Sequence, residues 1–243
     1  MCAAVALAYN PGQRTIKLLG QTLNSDKHPV HLVVSQTIDM RDVLNADAYN
    51  KLPAAKKKRT SRTEYNENKG IAAKRATIID GEGKIIKDTV DFCKDGFWYA
   101  IDLVNKTYDR VPELSGMSSP FAETLIGWFN VRPVGGNDAA TGYDYDRMTK
   151  GNNTLTFYYE KGTEKWIGYQ TAYLPFVKVE EVSNVADESY FALPSAEYKQ
   201  VADPAMRARA QSIMEKKNKK WDVNFDPSLR GSGLFHEKHA VLG

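Results

Sequence analysis

The chain has 243 residues, 42% of them apolar, with 33 Lys and Arg against 30 Asp and Glu. That is enough to bury a core, as one large all-β domain or as two smaller ones. The formal charge of +3 is uneven: residues 51–62 hold six cations and no anion, residues 204–220 hold six against one, and the remainder stands at −8. A mildly acidic body with two basic appendages argues against a dedicated nucleic-acid binder, which spreads basic residues over its folded face.

The opening MCAAVALAYNPG runs small apolar residues into Ala6-Leu7-Ala8, the small-x-small pattern that precedes a signal cleavage site. Residues 1–8 are therefore expected to be a signal-peptide remnant and the mature protein to be exported, to the periplasm or cell envelope. A short apolar N-terminal strand is the alternative. Cys2 would leave with the signal, and Cys93, inside an apolar run, reads as a small buried residue. No run approaches the roughly 20 apolar residues that cross a bilayer as a helix.

Residues 9–27 are polar around Ile16-Lys17-Leu18-Leu19, a short helix or a first strand. His28 to Met40 reads as a strand, with Leu32, Val34, Gln36 and Ile38 on one face. Asp42 to Tyr49 is one helical turn or a loop. Lys56 to Arg59 reads as a solvated loop, with an anionic membrane surface as its functional alternative.

Residues 71–112 form the clearest stretch. Asp80-Gly81-Glu82-Gly83, Lys94-Asp95-Gly96 and Asn105-Lys106 punctuate runs of strand length, and Phe97, Tyr99, Ile101 and Leu103 alternate with Trp98, Ala100, Asp102 and Val104. Short apolar runs broken by Asp-Gly and Asn-Lys describe an antiparallel meander.

Ser118-Ser119-Pro120 starts a helix, with a hydroxyl cap and a first-turn proline. Phe121, Leu125 and Trp128 then fall on one face, widened by Ile126 and Phe129. That face is either ordinary core or a lid over a cavity. Thr154 to Thr171 is a second hairpin, with Leu155, Phe157 and Tyr159 on one strand and Ile167, Tyr169 and Thr171 on the next. Val177, Val179 and Glu181 alternate once more. Asp203-Pro204 opens a helix whose thin stripe is Met206, Ala210, Ile213 and Met214.

Chemistry is harder to find. His28 and His31 lie on a strand, where i and i+3 point to opposite faces, and His236/His239 have no cluster of carboxylates or thiolates beside them. Asp138, Asp144 and Asp146 lack the register of a calcium loop. No nucleophile elbow, Walker loop or zinc-protease motif occurs. No catalytic residue, metal or cofactor is expected, and the chain reads as a non-enzyme.

Ala72 to Ile79, then Phe92-Cys93-Lys94-Asp95-Gly96-Phe97-Trp98-Tyr99-Ala100-Ile101-Asp102, then Asn105-Lys106-Thr107-Tyr108 resembles a passage of exported LolA/LolB-like carrier proteins. Tyr190-Phe191-Ala192-Leu193-Pro194 and Tyr198 are similar to the last strand of those domains. The resemblance covers residues 28–200. It implies a mainly β fold, a curved antiparallel sheet forming an incomplete barrel covered by short helices, over residues 9–202. Residues 203–243 would add a basic helix and tail.

It also implies transit of a lipid, acyl chain or lipoprotein. The ligand-binding residues expected are Phe97, Tyr99, Ile101, Phe157, Tyr159 and Tyr169 on the concave face, opposite Phe121, Leu125 and Trp128. The alternative is an envelope interaction module in which the same aromatics are core and the basic segments meet a partner.

Overall fold

The structure, a computed structural model, describes residues 12–68, 71–113, 121, 125, 128 and 130–217. The expected signal remnant, the Ser118-Ser119-Pro120 cap, Ile126, Phe129, and the tail with His236 and His239 lie outside the described residues.

Twelve strands form one open sheet. The first six are β1 (Val30–Asp39), β2 (Lys58–Asn68), β3 (Ile71–Asp80), β4 (Ile85–Lys94), β5 (Phe97–Asp102) and β6 (Thr107–Pro112). The second group is β7 (Val134–Asn137), β8 (Asp144–Lys150), β9 (Asn153–Tyr159), β10 (Trp166–Thr171) and β11 (Val177–Ser183), and β12 (Lys199–Gln200) follows. Their order is β12-β6-β5-β4-β3-β2-β1-β11-β10-β9-β8-β7. Two up-and-down meanders thus meet where β1 pairs with β11. All ladders are antiparallel except β12 on β6, and the sheet does not close on itself. The fold is mainly β, as expected.

Local chemistry sets the hairpins. Asp95 and Gly96 have φ of 52° and 74°, and Lys94 pairs with Phe97 across them. Two left-handed residues in succession make the tight loop whose twist matches the flanking strands. At the β3–β4 turn the Asp80 carboxylate accepts from the Glu82 and Lys84 amides. Gly81 there packs on the chain before β2: a Cβ would lie 2.3 Å from the Ala54 carbonyl oxygen. The Asp102 carboxylate receives the Val104 and Asn105 amides in the third turn.

Helices are short. Those with described bounds are α1 (Gln13–Lys17), continued by one π-helical turn, α2 (Ala46–Asn50), α3 (Ala54–Lys57) and α4 (Pro204–Lys217). The basic run expected as a loop is instead divided. Lys56 and Lys57 end α3, while Lys58 and Arg59 open β2 opposite Asp39 and Ile38. The strand extends that far because β1 and β3 offer it backbone partners on both sides.

The register assigns every side chain to one of two faces. Leu32 stands opposite Tyr65, then Lys74, Asp91, Ala100 and Asp109 across β1 to β6. We call this face A. The adjacent row, Val33, Glu64, Arg75, Val90, Ile101 and Tyr108, occupies face B. Toward the other edge, Val34 meets Val179 across a bulge, and Val177, Tyr169, Phe157 and Asp146 follow, all on face A.

Three cores result. On face A the β1/β8–β11 half buries Leu32, Val34, Met148, Leu155, Phe157, Tyr159 and Trp166 with Leu18, Leu19 and Leu23. Also on face A, α4 lays Met206, Ala210 and Met214 on Cys93, Trp98 and Val111. Its stripe and cap are those expected, since the Asp203 carboxylate accepts from the Ala205 and Met206 amides. On face B, Ala73, Val90, Phe92, Tyr99 and Ile101 are covered by Tyr190, Phe191 and Tyr198. Cys93, in the α4 core, is buried, as expected.

Candidate functional site

The nine residues expected to share one cavity do not share a face. Phe121, Leu125, Phe157 and Tyr159 are buried in the face A core, with Trp128 and Tyr169 packed against it. Phe97, Tyr99 and Ile101 belong to the face B core. Within each strand the alternation predicts the grouping correctly. The parity between the two meanders is set by the β1–β11 pairing, which the alternation cannot reveal.

The face A group is closed by aromatic contacts. The Phe121 ring sits 5.1 Å from Tyr65, 5.8 Å from Tyr169 and 6.5 Å from Trp166. Trp166 in turn lies 5.8 Å from Phe157 and stacks on Tyr169 at 6.0 Å. The Phe121 amide donates to the buried Glu67 carboxylate, which fixes the backbone at that point. Burial pushes the Tyr65 phenol up to about 12 and raises those of Tyr159 and Tyr169.

One side of this core is locked by a polar knot. Asp146, fully buried, accepts from the Arg14 guanidinium at 2.8 Å, the Thr15 hydroxyl at 2.7 Å and the Gly12 amide at 3.1 Å. Thr15 also lies 2.7 Å from the Tyr159 hydroxyl, and the Arg14 guanidinium covers the Tyr159 ring at 4.1 Å. Asp144 accepts from the Gly162 amide and Asp138 from that of Ala140. The three aspartates weighed as a calcium loop thus hold the fold. Among the described residues no group of three His, Cys, Asp or Glu side chains is placed to hold a metal. His31 hydrogen-bonds Asn66 at 3.0 Å.

Face B carries an accessible apolar cleft. Tyr190 to Pro194, expected as a last strand, instead belong to a segment that makes a 3-10 turn over Glu188–Phe191 and then crosses β3 to β5 as a strap. The reason is local: Asp187 caps the turn on the Ser189 amide, and Pro194 cannot donate to a ladder. Four anchors hold it. The Asp187 amide donates to Asn66, the Tyr190 hydroxyl to Glu64, and the Lys94 ammonium to the Phe191 carbonyl. Phe191 meets Phe92 edge-on, and Phe92 stacks on Tyr99 at 5.2 Å.

Beneath the strap lies a cleft of about 310 Å³, lined by Val90, Ile101, Leu103, Tyr190, Ala192, Leu193, Pro194 and Tyr198, with Ser189, Ser195 and Arg75 as its other polar members. Arg75 is the charged group in that lining, and it is already neutralised. Its guanidinium makes two 2.8 Å bonds to Asp88 and lies 4.0 Å from Glu64, and the Asp88 bonds raise its pKa. The Tyr-Phe-Ala-Leu-Pro signal is visible in the sequence, but its role as a cover depends on the face beneath it.

Lys57 stands over the Tyr49 ring at 4.9 Å and Lys58 lies 3.9 Å from Asp39.

No family model matches the chain, and no curated protein matches it. Among solved structures it is similar to an uncharacterized conserved protein from Thermus thermophilus, at 7% identity, covering 77% of this chain and 98% of that one, with a TM-score of 0.37. It is also similar to PNGF-II, at 8% identity, covering 76% of this chain and 33% of that one, with a TM-score of 0.29. Likenesses at these scores carry no functional argument.

Proposed function

We propose that the protein is a non-enzymatic binder of an uncharged apolar chain, such as the acyl chain of a lipid or lipoprotein, seated beneath the face B strap. The observation that carries this reading is the cleft itself: walls that are mostly apolar, with Ser189 and Ser195 as uncharged polar groups and its guanidinium already paired. Its volume is at the lower end of the ~300–1,000 Å³ typical of small-molecule sites. A free anionic head group would have to displace Asp88 from Arg75, whereas an uncharged chain leaves that pair intact. The export and envelope carriage implied by the LolA/LolB-like resemblance belong to this proposal, with the binding site placed in the strap cleft, which keeps Ile101 of the expected residues.

Native mass spectrometry and lipid extraction of the purified protein test whether an acyl-bearing molecule co-purifies. Ala192→Trp, at an exposed position in the cleft lining, should fill the cleft and weaken binding of a fluorescent acyl probe at least ~10-fold, a difference of about 1.4 kcal/mol. Absence of bound lipid together with unchanged probe binding in Ala192→Trp would sink the reading. The alternative of a filled interaction module is favoured by one observation, the enclosure of Phe121 by three aromatic rings on face A.

A further inference from the structure

Ala172-Tyr173-Leu174-Pro175-Phe176 joins β10 to β11, and all five residues are exposed. Tyr173 is 80% exposed, Leu174 46% and Phe176 38%. A run of consecutive exposed apolar residues is a liability in water unless it has a use. Closing a hairpin does not require it, since the β3–β4 turn manages with Asp80-Gly81-Glu82-Gly83.

The backbone of the loop is already satisfied. The Ala172 amide donates to the Thr154 carbonyl at 3.2 Å. The Thr171 hydroxyl accepts from the Tyr173 amide at 3.2 Å and from the Leu174 amide at 3.0 Å. Pro175 has no N–H, and its carbonyl accepts from the Gln36 side-chain amide at 3.2 Å, which fastens the loop to β1. The Phe176 ring meets Tyr158 edge-on at 5.5 Å and covers Gly168, where a Cβ would lie 2.3 Å from it. The loop is thus held from both sides while Tyr173 and Leu174 stay outside. Backbone donors must be paired before a segment can leave water for lipid, and from Ala172 to Pro175 they are.

The sheet register sets this loop at the same end as the basic run. Lys178 on β11 pairs with Ser35, and β1 then meets β2 through Ile38 opposite Arg59 and Asp39 opposite Lys58. With neighbouring strands about 4.8 Å apart, Arg59 lies two strands from the loop. Residues 39–60, which join β1 to β2 at that end, hold six cations against three anions. Lys56, Arg59 and Lys178 are exposed and enter no salt bridge among the described residues. Val43, 64% exposed, adds a second apolar point in the same connection. The β3–β4 turn, with Asp80 and Glu82 against Lys84, begins one strand further away, and the Asp80 carboxylate is taken up by amides of its own turn. At the opposite end of the sheet the β9–β10 turn is balanced, with Glu160 and Glu164 against Lys161 and Lys165, and carries no apolar tip.

We infer that this end of the sheet docks on the surface of a bilayer bearing anionic lipids, with Tyr173 and Leu174 entering the interface and Lys56, Arg59 and Lys178 meeting the head groups. An apolar tip alone fits many partners. Its rim of cations selects a negatively charged surface, and a tyrosine beside a leucine suits the boundary between head groups and acyl chains. The inference does not rest on what the strap cleft holds.

Co-sedimentation of the full-length protein with vesicles of phosphatidylcholine, alone or mixed with phosphatidylglycerol, tests it. Binding to the mixed vesicles should be at least ~10-fold tighter than to phosphatidylcholine alone. Tyr173→Ser combined with Leu174→Ser should weaken it at least ~10-fold, and so should Lys56→Glu combined with Arg59→Glu. Lys161→Glu with Lys165→Glu makes the same change of charge at the opposite end and should leave binding within ~2-fold of wild type. Ala192→Trp should also leave it unchanged, which separates this inference from the strap cleft. An unchanged urea midpoint in each variant shows that its fold is intact. Absence of binding to the mixed vesicles, the result expected of a tip that docks on a protein, would overturn the inference. So would unchanged binding in the loop variant or in the basic variant, or an equal loss in the opposite-end pair or in Ala192→Trp.

Discussion

The two halves of the sheet bury comparable side chains to different ends. Around β1 and β8 to β11, one face carries the large aromatic core: Phe121 and Leu125 press onto Phe157, Tyr159 and Trp166, and the Arg14–Asp146 knot ties the first helix over them. Around β3 to β6 both faces are covered, by α4 on one and by the strap on the other. Each cover leaves a cleft beside it. A continuous one-sided core seals itself, because every ring finds another ring. A strand layer covered on two sides by short elements keeps unfilled margins where a ligand can sit.

Substitutions can break or sharpen that contrast. The largest effect is expected in the sealed half. Phe157→Ala, at a position 1% exposed, should cost about 3–5 kcal/mol and lower the urea midpoint without changing probe binding beneath the strap in the protein that remains folded. If Phe157→Ala were tolerated with little loss, the sealed core would be looser than its ring contacts imply.

An intermediate effect is expected at the α4 cover. Asp203→Ala removes the cap of α4 and should cost about 1 kcal/mol. Hydrogen exchange should rise in α4 while the β8–β11 amides keep their protection. Equal loosening of both halves would show them to be one cooperative unit.

The smallest effect concerns pH. The Asp91 carboxyl is raised in the folded state by burial, so folding is disfavoured once pH climbs above the unfolded value of about 3.9. Asp91→Asn removes that penalty. The variant should be modestly more stable than wild type at pH 7, and the margin should close as pH falls through the raised pKa and vanish below about pH 4. Urea unfolding at several pH values measures it; a margin independent of pH would mean that Asp91 is not the group responsible.

Much of the architecture can be read without coordinates. Asp95-Gly96 demands a tight hairpin, Asp203-Pro204 demands a helix start, and Met206, Ala210 and Met214 mark its buried stripe. Strand alternation places Tyr99 with Ile101, and Phe157 with Tyr159. These signals are local: a turn needs particular φ values, and a strand sends alternate side chains to opposite faces.

Of the candidate sites, fragments alone are visible. Ile101 is expected from its alternation and does line the strap cleft, while nothing in chain order groups Tyr173 with Arg59 or sets Arg75 beneath the strap. What chain order cannot supply is the parity between the two meanders. A shift of one residue in the β1–β11 pairing would exchange the faces of every strand beyond it. The sequence by itself determined the hairpins, the capped helix and the apolar stripes, because each follows from neighbours a few residues apart. Only the tertiary structure decided which stripes meet, which carboxylates find donors and where the covers fall short, because those depend on pairings between strands far apart in the chain.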